Sequence, residues 1–516
     1  MPFLDRSNRR FLTAVSQLLY SNPFLPEISE HEREALGDDA VAEDPIWSMT
    51  VSDPDRVRAN TWRIIDRLQP LLDQLARALA SGEQRHDGDL ELYEDGLLYA
   101  FYYRYYDQLV SATFRQHGRD KSRWGFYREF CADWNRFFEI PGVKLPTGHQ
   151  AKHTFACYYQ IVRAFHHIFE QIIGNSRPAA RLRAAIWQSL FTHDIRRYRR
   201  TLFSRMNEFA TLITGPSGTG KELVARSIAL SRYVPFDESR LAFEEDLNGL
   251  FFPINIGALP ATLVESELFG HKRGSFTGAV QDKLGWLEAC PALGAVFLDE
   301  IGDLDPEIQV KLLRVIETRT FRALGESEAQ THRFQGKLIA ATNRNLAVAI
   351  RRGRFREDLY YRLCSDQIVT PSLRQQIDES PGVLPDLILF LSRRVAGDEA
   401  EALAAETQQW MEKNLDPDYQ WPGNYRELEQ CVRNILIRKE YQFSKLTKRP
   451  RREGLLAEAA NGQLTASELL SRYCTLIYSQ TGSYEETARR LQIDRRTVKA
   501  KVNTDLLKAP NGKEMP

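Results

Sequence analysis

Apolar residues recur at helical spacing through most of the first 185 residues of the chain. The pattern predicts helices that are separated by glycine- and proline-containing breaks. Their predicted bounds are 9–20, 57–80, 90–114, 124–138 and 152–173. Pro70 is expected to bend or split the second helix, because proline removes a backbone donor and clashes with the preceding turn. Residues 1–185 are therefore predicted to form a bundle-like, all-α domain.

The hydrophobic pattern changes from residue 208 onward. Short apolar runs then alternate with helical patterns, which is typical of an α/β domain built on a parallel sheet. The strand-like runs are 211–214, 251–255, 295–298 and 337–341. The preceding residues 181–207 are rich in arginine and are predicted to be helical. This segment is either a linker helix that passes signals from the first domain or a plain solvated connection.

The first strand-like run leads into a glycine-rich sequence, which a helical pattern follows. In a phosphate-binding loop, glycines let backbone N–H groups converge on phosphate oxygens, the helix N-terminus adds positive charge, and a lysine reaches the outer phosphates. A glycine-rich turn that binds nothing is the alternative, and the strand–loop–helix context favours the phosphate loop. The candidate nucleotide contacts of this loop are Gly215, Pro216, Ser217, Gly218, Thr219, Gly220, Lys221 and Glu222.

Two carboxylates, Asp299 and Glu300, follow the apolar run 295–298. The carboxyl ends of strands are where α/β sheets place their chemistry. Asp299 can hold Mg²⁺, directly or through water, and Glu300 can orient or deprotonate the water that attacks a γ-phosphate. Glu222 stands where a serine or threonine usually ligates Mg²⁺. Together with the phosphate loop, the carboxylate pair predicts a nucleoside triphosphatase.

The overall charge does not indicate a partner, because 69 lysines and arginines balance 69 aspartates and glutamates. The six cysteines are scattered without a CxxC motif, which argues for reduced thiols in a cytosol. No apolar run approaches the length that crosses a bilayer, and the N-terminus lacks the apolar core of a signal peptide. The chain is expected to be a soluble, cytoplasmic protein that does not enter a membrane.

Residues of about 185 to 440 carry a dense set of longer motifs. These are GPSGTGKELVARSI, LVESELFGHKRGSFTGAV, GAVFLDEIGDL, QVKLLRVIE, LIAATNRNL, GRFREDLYYRL and WPGNYRELEQ. On these motifs the region resembles the AAA+ ATPase domain of sigma-54-dependent transcriptional activators, also called bacterial enhancer-binding proteins. The resemblance implies an α/β P-loop subdomain over residues 186–370 and a helical lid over residues 371–442. Glu222 after the lysine also fits this family.

The resemblance implies roles for residues outside the phosphate loop. Asn255 matches an asparagine that restrains the catalytic glutamate until the nucleotide state changes. Asn343 resembles the sensor residue after the third strand, and Arg426 resembles the second sensor on the lid. Arg356 and Arg362 match arginine fingers that reach a neighbouring subunit's nucleotide. The implied catalytic set, with Mg²⁺ held by the aspartate, is Asn255, Asp299, Glu300, Arg356 and Arg362.

The sequence GSFTGA is similar to the family's GAFTGA insertion loop, with Ser275 as the departure. The resemblance implies that this loop contacts sigma-54. An exposed phenylalanine between glycines is also expected at a mobile contact tip. The candidate contacts are Gly274, Ser275, Phe276, Thr277, Gly278 and Ala279. Two stretches depart from the family: residues 237–249 form an acidic insertion, and 370–374 match its proline-rich segment only loosely.

The C-terminal residues become basic. Residues 443–463 are predicted to be a linker, and helices are predicted over 466–479, 484–491 and 495–503. The string GSYEETARRLQIDRRTVKAKV resembles the Fis-type helix-turn-helix that ends such activators, so residues 464–516 are expected to bind double-stranded DNA. Asp494 is a plausible N-cap of the recognition helix. The candidate DNA contacts are Arg495, Arg496, Thr497, Lys499 and Lys501. A three-helix bundle with a basic surface is the alternative.

His149, His153 and Cys157 fall at i, i+4 and i+8, so a helix places them on one face. Three such residues can ligate a metal, but no carboxylate or second cysteine completes the set. The surrounding aromatic residues favour ordinary packing instead.

Taken together, these features predict a ring-forming Mg-ATPase, with a hexamer implied by the family and a dimer allowed in an inactive state. It is expected to bind an upstream enhancer site and to remodel sigma-54 RNA polymerase holoenzyme to the open complex through ATP hydrolysis. One alternative is a DNA-binding regulator that uses other sigma factors, against which the intact GSFTGA counts. The other is an AAA+ remodeller of a different target, against which the C-terminal helices count.

Overall fold

A computed structural model describes residues 3–43, 58–82, 86–115, 123–148, 150–244, 246–327, 329–416, 418–442 and 464–503. The chain divides into two compact units, residues 1–439 and residues 440–516. The predicted linker of residues 443–463 lies outside the described residues, and so does His149. No helix within the described ranges is both long enough and apolar enough to span a bilayer. All six cysteines lie within those ranges and are free thiols.

The N-terminal region is helical, as predicted. Its helices are α1 (Arg6–Tyr20), α2 (Glu27–Leu36), α3 (Ala59–Ala80), α4 (Asp87–Arg104), α5 (Tyr106–Val110), α6 (Tyr127–Phe138), α7 (Ala151–Gln171), α8 (Arg177–Phe191) and α9 (Ile195–Arg197). The sequence pattern missed α2. Pro70 lies inside a continuous α3, so the predicted split is wrong. Leu68, Leu71 and Leu72 on either side of the proline are buried, and this packing holds the helix together.

An aromatic cluster forms the core of these helices. Phe155 of α7 is fully buried, and its ring contacts the rings of Phe130 and Tyr127 with centroids 5.3 and 4.9 Å away. Phe101 of α4 meets the aromatic face of α6 in edge-to-face geometry. Such pairs add to the free energy of burial, so the aromatic-rich helical pattern is explained by packing.

The segment 181–207 is not a single helix. α8 ends at Phe191, where Thr192 has a left-handed φ of 62°, and Asp194 then caps the short α9. Arg183 and Arg199 are buried, so the segment is not a solvated connection either. The predicted domain boundary after residue 185 falls inside α8.

That boundary fails because α8 shares one hydrophobic core with both of its neighbours. Its apolar side chains pack in a cluster with Phe24 and Ile168 from the N-terminal helices. The same cluster contains Ile213 and Ile339 from the sheet that follows. Burial of apolar surface on both sides joins the helical region and the sheet in one unit.

The α/β region is built on a five-stranded parallel sheet of order β11-β1-β10-β7-β4, flanked by two-stranded antiparallel ribbons. The strands are β1 (Thr211–Thr214), β2 (Phe236–Asp237), β3 (Ala242–Phe243), β4 (Phe251–Asn255), β5 (Gly270–His271), β6 (Lys283–Leu284), β7 (Ala295–Asp299), β8 (Thr320–Phe321), β9 (His332–Arg333), β10 (Lys337–Thr342) and β11 (Asp366–Val369). The four strand-like runs of the sequence correspond to β1, β4, β7 and β10. The edge strand β11 was missed.

Ten helices accompany this sheet within the described residues. They are α10 (Lys221–Leu230), α11 (Ala261–Phe269), α12 (Trp286–Ala289), α13 (Pro306–Thr318), α14 (Leu346–Arg351), α15 (Glu357–Leu363), α16 (Leu373–Glu379), α17 (Val383–Ala396), α18 (Ala400–Asn414) and α19 (Asn424–Arg438). The last four follow β11 and form a helical cap, where the sequence predicts a lid. Ser372 and Gln375 form a capping box that starts α16.

The stretch 237–249 contains the ribbon β2–β3, which packs against the N-terminal helices. The Phe243 ring stacks on Tyr159 of α7 with centroids 3.7 Å apart. Phe236 contacts Tyr127 of α6, and the hydroxyl of Tyr127 donates to Glu238. The stretch that departs from the family pattern therefore connects the α/β region to the helical region.

The second unit contains three described helices, α20 (Ala466–Thr481), α21 (Tyr484–Leu491) and α22 (Arg495–Lys501). They enclose a small core around Cys474, Val498 and Val502. The carboxylate of Asp494 accepts from the backbone N–H of Arg496 at 2.7 Å, which confirms the predicted N-cap of α22.

Candidate nucleotide site and exposed loop

Each glycine of the phosphate loop is required by its surroundings. Gly215, Gly218 and Gly220 have φ values of 153°, 75° and 84°. A Cβ on Gly215 would lie 2.1 Å from the hydroxyl of Thr370, and one on Gly218 would lie 2.2 Å from the carbonyl oxygen of Gly423. The loop therefore holds its curved backbone, with N–H groups available for an anion, only with glycine at these positions.

Lys221 is the first residue of α10, and its side chain lies against the loop. Its ammonium donates to the carbonyl oxygens of Gly215 at 3.2 Å and Pro216 at 3.0 Å. Burial lowers the pKa of Lys221, while the nearby carboxylates of Glu300 and Asp299 act in the opposite direction. An entering phosphate can replace the two weak carbonyl contacts with a charge-assisted hydrogen bond.

The carboxylates lie where parallel strands end together. Asp299 ends β7 and is paired in register with Asn255 at the end of β4. Glu300 has a left-handed φ of 56°, which is uncommon for a non-glycine residue and typical of functional sites. Its backbone N–H donates to Asp299, and its carboxylate accepts from the backbone N–H of Asn343 at 3.3 Å. Asn255, Asp299, Glu300 and Asn343 thus meet at one edge.

A cavity of about 490 Å³ is lined by Asn255, Asp299 and Glu300. Residues 217–222 and Arg426 add to its polar lining. Apolar side chains line it as well, together with the charged Arg394 and Glu429; the apolar ones are Ile172, Ile173, Leu182, Leu387, Phe390 and Leu391. A pocket of this size that combines a cationic loop with apolar side chains fits a nucleotide. The sequence motifs gave no indication of the apolar lining.

Arg183 positions the segment between α7 and α8, which supplies part of the apolar lining of the cavity. Its buried guanidinium donates to the carbonyl oxygen of Ile172 at 2.8 Å and to that of Gly174 at 2.8 Å. The chain between α7 and α8 is therefore held against the cavity by hydrogen bonds. A buried arginine paired with carbonyls, rather than a solvated one, explains part of the arginine content of this stretch.

The helical cap of α16–α19 contacts the glycine-rich loop through the start of α19. The side-chain amide of Asn424 donates to the carbonyl of Ser217 at 2.9 Å, and its oxygen accepts from the backbone of Leu373 at 2.8 Å. The backbone N–H of Tyr425 donates to Gly218 at 3.1 Å. These contacts place Arg426 in the cavity wall. Sequence analysis identified Arg426 and missed Asn424.

Replacing Asn424 with alanine is expected to lower the free energy of unfolding by about 2–3 kcal/mol and to weaken nucleotide binding. The change removes the partner of the buried N–H of Leu373 and of the partly buried carbonyl of Ser217, and it puts alanine at a left-handed φ of 51°. Asn414→Ala is the matched control, because Asn414 is exposed and bonds only to the carbonyl of Trp410. Urea unfolding and nucleotide titration of both variants make the comparison, and equal losses would exclude a lid contact at Asn424.

Arg356 and Arg362 do not reach this cavity. The guanidinium of Arg356 pairs with Asp358 at 2.6 Å, and that of Arg362 pairs with Glu317 at 3.0 Å. Both side chains are about half exposed, at 46% and 60%. The structure therefore brings together the loop, the carboxylates, Asn255, Asn343 and Arg426, and leaves these two arginines on the surface.

The loop of residues 274–279 connects the ribbon strands β5 and β6. Its two ends meet, because the backbone N–H of Gly274 donates to the carbonyl of Ala279 at 2.9 Å. Gly274 and Gly278 have left-handed φ values of 80° and 103°. Thr277 is exposed, as is the flanking Val280 at 79%.

Phe276 is not the exposed tip that the sequence predicts. It is half-buried, with its ring 5.0 Å from the ring of His271. His271 is itself fixed by a 2.7 Å hydrogen bond to Ser266 of α11. The backbone of Ser275 packs against Gly325 from the neighbouring loop. The prediction missed these contacts because the ribbon that supplies them has only two residues in each strand.

In the second unit, Arg496, Thr497 and Lys499 are exposed on α22. Arg495 pairs with Glu485 at 3.0 Å. The ammonium of Lys501 donates to the hydroxyl of Ser467 at 2.8 Å. Of the five candidate DNA contacts, Arg496, Thr497 and Lys499 therefore do not form these contacts with neighbouring helices.

Two members of the predicted histidine–cysteine set, His153 and Cys157, lie on α7 and are explained by packing, as the aromatic surroundings suggest. The ring nitrogens of His153 contact the hydroxyl of Tyr233 at 2.9 Å and the carbonyl of Arg199 at 2.7 Å. Cys157 is buried, and burial raises its pKa to about 11. Both features disfavour metal binding by this pair.

Residues 191–369 match a family model described as the sigma-54 interaction domain. Over these residues the chain is similar to a sigma-54 interaction domain. The matched residues include the phosphate loop, Asp299, Glu300 and residues 274–279, so the resemblance drawn from the motifs is confirmed. Asn424 and Arg426 lie beyond the matched residues.

Curated relatives match the chain over a similar length. The response regulator protein PilR of Pseudomonas aeruginosa is 43% identical over 220 residues, which are 43% of this chain and 45% of PilR. The Nif-specific regulatory protein of Azotobacter vinelandii is 40% identical over 229 residues, 44% of this chain and 40% of that protein. The match spans less than half of either relative. A crystal structure of NtrX from Brucella abortus has a TM-score of 0.38 and 23% identity over 70% of this chain and 76% of its own.

Proposed function

We propose that this chain is a sigma-54-interacting transcriptional regulator that hydrolyses ATP to open promoter complexes. One observation carries the proposal: the nucleotide cavity and the 274–279 loop belong to one continuous stretch of the α/β region. Asn255 lies beside Asp299 at the cavity, and the chain then runs through α11 directly into the ribbon that bears the loop. A change at the γ-phosphate position can therefore reach the loop through a single helix.

The cavity residues divide the chemistry of hydrolysis between them. The loop N–H groups and Lys221 hold the β- and γ-phosphates, and Arg426 approaches them from the lid. Asp299 would hold Mg²⁺, and the bound ion would neutralise charge that develops on the phosphates. Glu300 takes the proton of the attacking water, because its carboxylate faces the cavity and lies next to Lys221 and Asp299.

Asn255 and Asn343 link the catalytic carboxylate to nucleotide state. Asn343 already donates a backbone hydrogen bond to Glu300. Asn255 ends the strand next to Asp299 and begins the connection to α11. Movement of Glu300 on hydrolysis would change its hydrogen bond to Asn343. Asn255, which pairs with the adjacent Asp299, would transmit the movement toward residues 274–279. The exposed Thr277 and Val280 are the parts of that loop region available to sigma-54.

Arg356 and Arg362 are proposed to act on the nucleotide of an adjacent subunit. They are exposed, always charged and paired only with surface carboxylates, so they can exchange those partners for phosphate at little cost. This assignment requires an oligomer, and a closed hexameric ring is the arrangement that the family resemblance implies.

Mixing two inactive variants tests action between subunits. Arg362→Ala chains and Lys221→Ala chains are each expected to lose ATPase activity. A mixed oligomer contains interfaces in which an intact lysine meets an intact arginine, so part of the activity should return. ATP turnover of the mixture is measured after co-assembly is verified by pull-down of differently tagged chains. A co-assembled mixture as inactive as both parents would show that Arg362 does not act across the interface.

The second unit is proposed to be the DNA-binding helix-turn-helix. α21 and α22 are joined by the turn 492–494, and the exposed Arg496, Thr497 and Lys499 lie on the second of these helices. A helix with exposed basic residues can enter the major groove and contact both bases and phosphates. DNA tethering would raise the local concentration of the ATPase near a promoter.

The N-terminal helical region, predicted over residues 1–185, is proposed to regulate the ATPase. α7 extends from the aromatic core to the nucleotide cavity, which Gln171, Ile172 and Ile173 line at its end. α8 shares its core with the sheet, and the β2–β3 ribbon contacts α6 and α7. A ligand that shifts the aromatic core has a direct mechanical connection to the site.

Formation of a complex with sigma-54 tests the proposal directly. The full chain with an ADP–metal fluoride transition-state analogue is expected to bind purified sigma-54, and the complex is detected by size-exclusion chromatography. The chain with ADP alone is expected to bind at least about 10-fold more weakly, equivalent to roughly 1.4 kcal/mol. Equal binding in both nucleotide states, or none in either, would contradict the proposal.

A further inference from the structure

The last two turns of α7 carry a group of metal-ligating side chains that the proposed ATPase does not use. His166, His167 and Glu170 each offer one ligand atom, and these atoms all lie within 4.8 Å of one another. The group lies on the same helix as His153 and Cys157, more than two turns closer to the nucleotide cavity. We propose that His166, His167 and Glu170 bind one Zn²⁺ ion.

The distances between the histidine nitrogens and the Glu170 carboxylate suit a shared metal ion better than direct hydrogen bonds. Nε2 of His166 lies 3.6 Å from the carboxylate of Glu170, and Nδ1 of His167 lies 3.8 Å from the same oxygen. Hydrogen bonds between such atoms are about 2.7–3.2 Å long. Two ligand atoms of a tetrahedral zinc site, each about 2.0–2.2 Å from the metal, are about 3.3–3.5 Å apart. A small adjustment of rotamers therefore brings all three donors onto one ion.

A second observation points to a missing ligand. Nδ1 of His167 is buried, and no described residue forms a hydrogen bond with it. Buried polar atoms without partners are rare in native proteins and indicate a bound water or ion. This nitrogen lies on the side of the ring that faces Glu170.

The two imidazole rings are held in place by other contacts. The His166 ring stacks on Phe114, with centroids 3.8 Å apart, and the His167 ring meets the same phenylalanine edge-on. The hydroxyl of Ser227 in α10 donates to the backbone carbonyl of His167 at 3.2 Å. Ligands whose orientation is fixed in advance lose less conformational entropy on binding a metal.

The donor set selects the class of metal. Two imidazoles and one carboxylate suit Zn²⁺ and related borderline ions, whereas Mg²⁺ and Ca²⁺ require a set dominated by oxygen. The half-exposed Glu170 leaves the remaining position open to water. Gln171 follows Glu170 directly and lines the nucleotide cavity, so the ion would fix the turn of α7 that adjoins the cavity.

Zinc titration of the chelator-treated full chain, in the absence of nucleotide, tests the proposal independently of ATPase activity. Glu170→Gln and His166→Ala are each expected to weaken Zn²⁺ binding at least about 10-fold. Loss of a residue that only hydrogen-bonds to a metal ligand already weakens metal binding about 10-fold or more. His31→Ala is the matched control. His31 Nδ1 lies 3.5 Å from the carboxylate of Glu34 on α2 and, like Nδ1 of His167, is buried without a hydrogen bond to a described residue; no second histidine adjoins this pair.

Co²⁺ substitution distinguishes this set from the cysteines. The Co²⁺ complex of the parent is expected to lack the strong near-ultraviolet band of cobalt–thiolate bonds. The proposal is overturned if the parent binds no Zn²⁺, if Glu170→Gln binds it as tightly as His31→Ala does, or if the thiolate band appears. Glu170 is 54% exposed, so its replacement leaves the fold intact and keeps the comparison valid.

Discussion

Replacing Glu300 with glutamine is expected to leave ATP binding nearly intact and to lower hydrolysis by about 100- to 10,000-fold, the range that a general base contributes. The amide keeps the shape of the side chain and cannot accept the proton of water. Because Lys221 and the loop glycines are unchanged, the phosphate contacts persist. Steady-state ATP turnover and equilibrium binding of a fluorescent ATP analogue measure the two effects separately.

Lys221→Ala is expected to weaken ATP binding itself, and hydrolysis with it, since the change removes a charge-assisted contact to phosphate. Binding is expected to fall by about 10- to 100-fold, because a hydrogen bond to a charged group contributes about 1.5–3 kcal/mol.

The matched control for Glu300→Gln is Glu401→Gln, which removes the negative charge of an exposed carboxylate on α18. Equal hydrolysis rates in Glu300→Gln and Glu401→Gln would rule out Glu300 as the base.

Replacing Thr277 with alanine is expected to abolish open-complex formation while ATP turnover and oligomerisation continue. Thr277 is exposed between Phe276 and Gly278 and lies outside the nucleotide cavity. The change removes one methyl and one hydroxyl, and surface changes of this kind usually alter stability by less than about 0.5 kcal/mol. A loss of sigma-54 binding would therefore indicate a lost contact between Thr277 and sigma-54 rather than a folding defect.

The matched control for Thr277→Ala is Thr262→Ala, an exposed threonine on α11. Both proteins are assayed for ATP turnover and for sigma-54 binding with the transition-state analogue. The control is expected to behave as the parent does. A Thr277→Ala protein that opens a sigma-54 promoter at the parental rate would favour a regulator that does not depend on this loop.

The structure brings into one cavity most of the polar residues that the sequence motifs singled out. Lys221, Asp299 and Glu300 follow strands whose apolar runs are long enough to recognise, and parallel strands bring their carboxyl ends together. The lid residue Arg426 was found by its motif. The same logic located β1, β4, β7 and β10.

The apolar half of the site was not predictable. Ile172 and Phe390 lie far apart in the sequence, in helices whose apolar residues look like ordinary core positions. Only the fold brings them to one cavity. Asn424 was missed for a similar reason, because its role depends on a left-handed backbone that docks it against Ser217.

The wrong predictions also have physical causes. The boundary after residue 185 failed because α8 buries side chains on both the helical and the sheet side, and no composition change marks such a helix. Pro70 stays within α3 because its neighbours are buried leucines. Phe276 was predicted to be exposed because local glycines suggested a free tip, whereas the ring of His271 covers it.

The most direct test of the account is promoter opening in a purified system. The full chain, sigma-54 holoenzyme and a sigma-54 promoter on supercoiled DNA are incubated with ATP, and single-stranded thymines are mapped with permanganate. The account predicts open complexes with the parent chain and ATP, and none with ADP or with Glu300→Gln. Open complexes that form equally well with ADP, or with the Glu300→Gln chain, would contradict it.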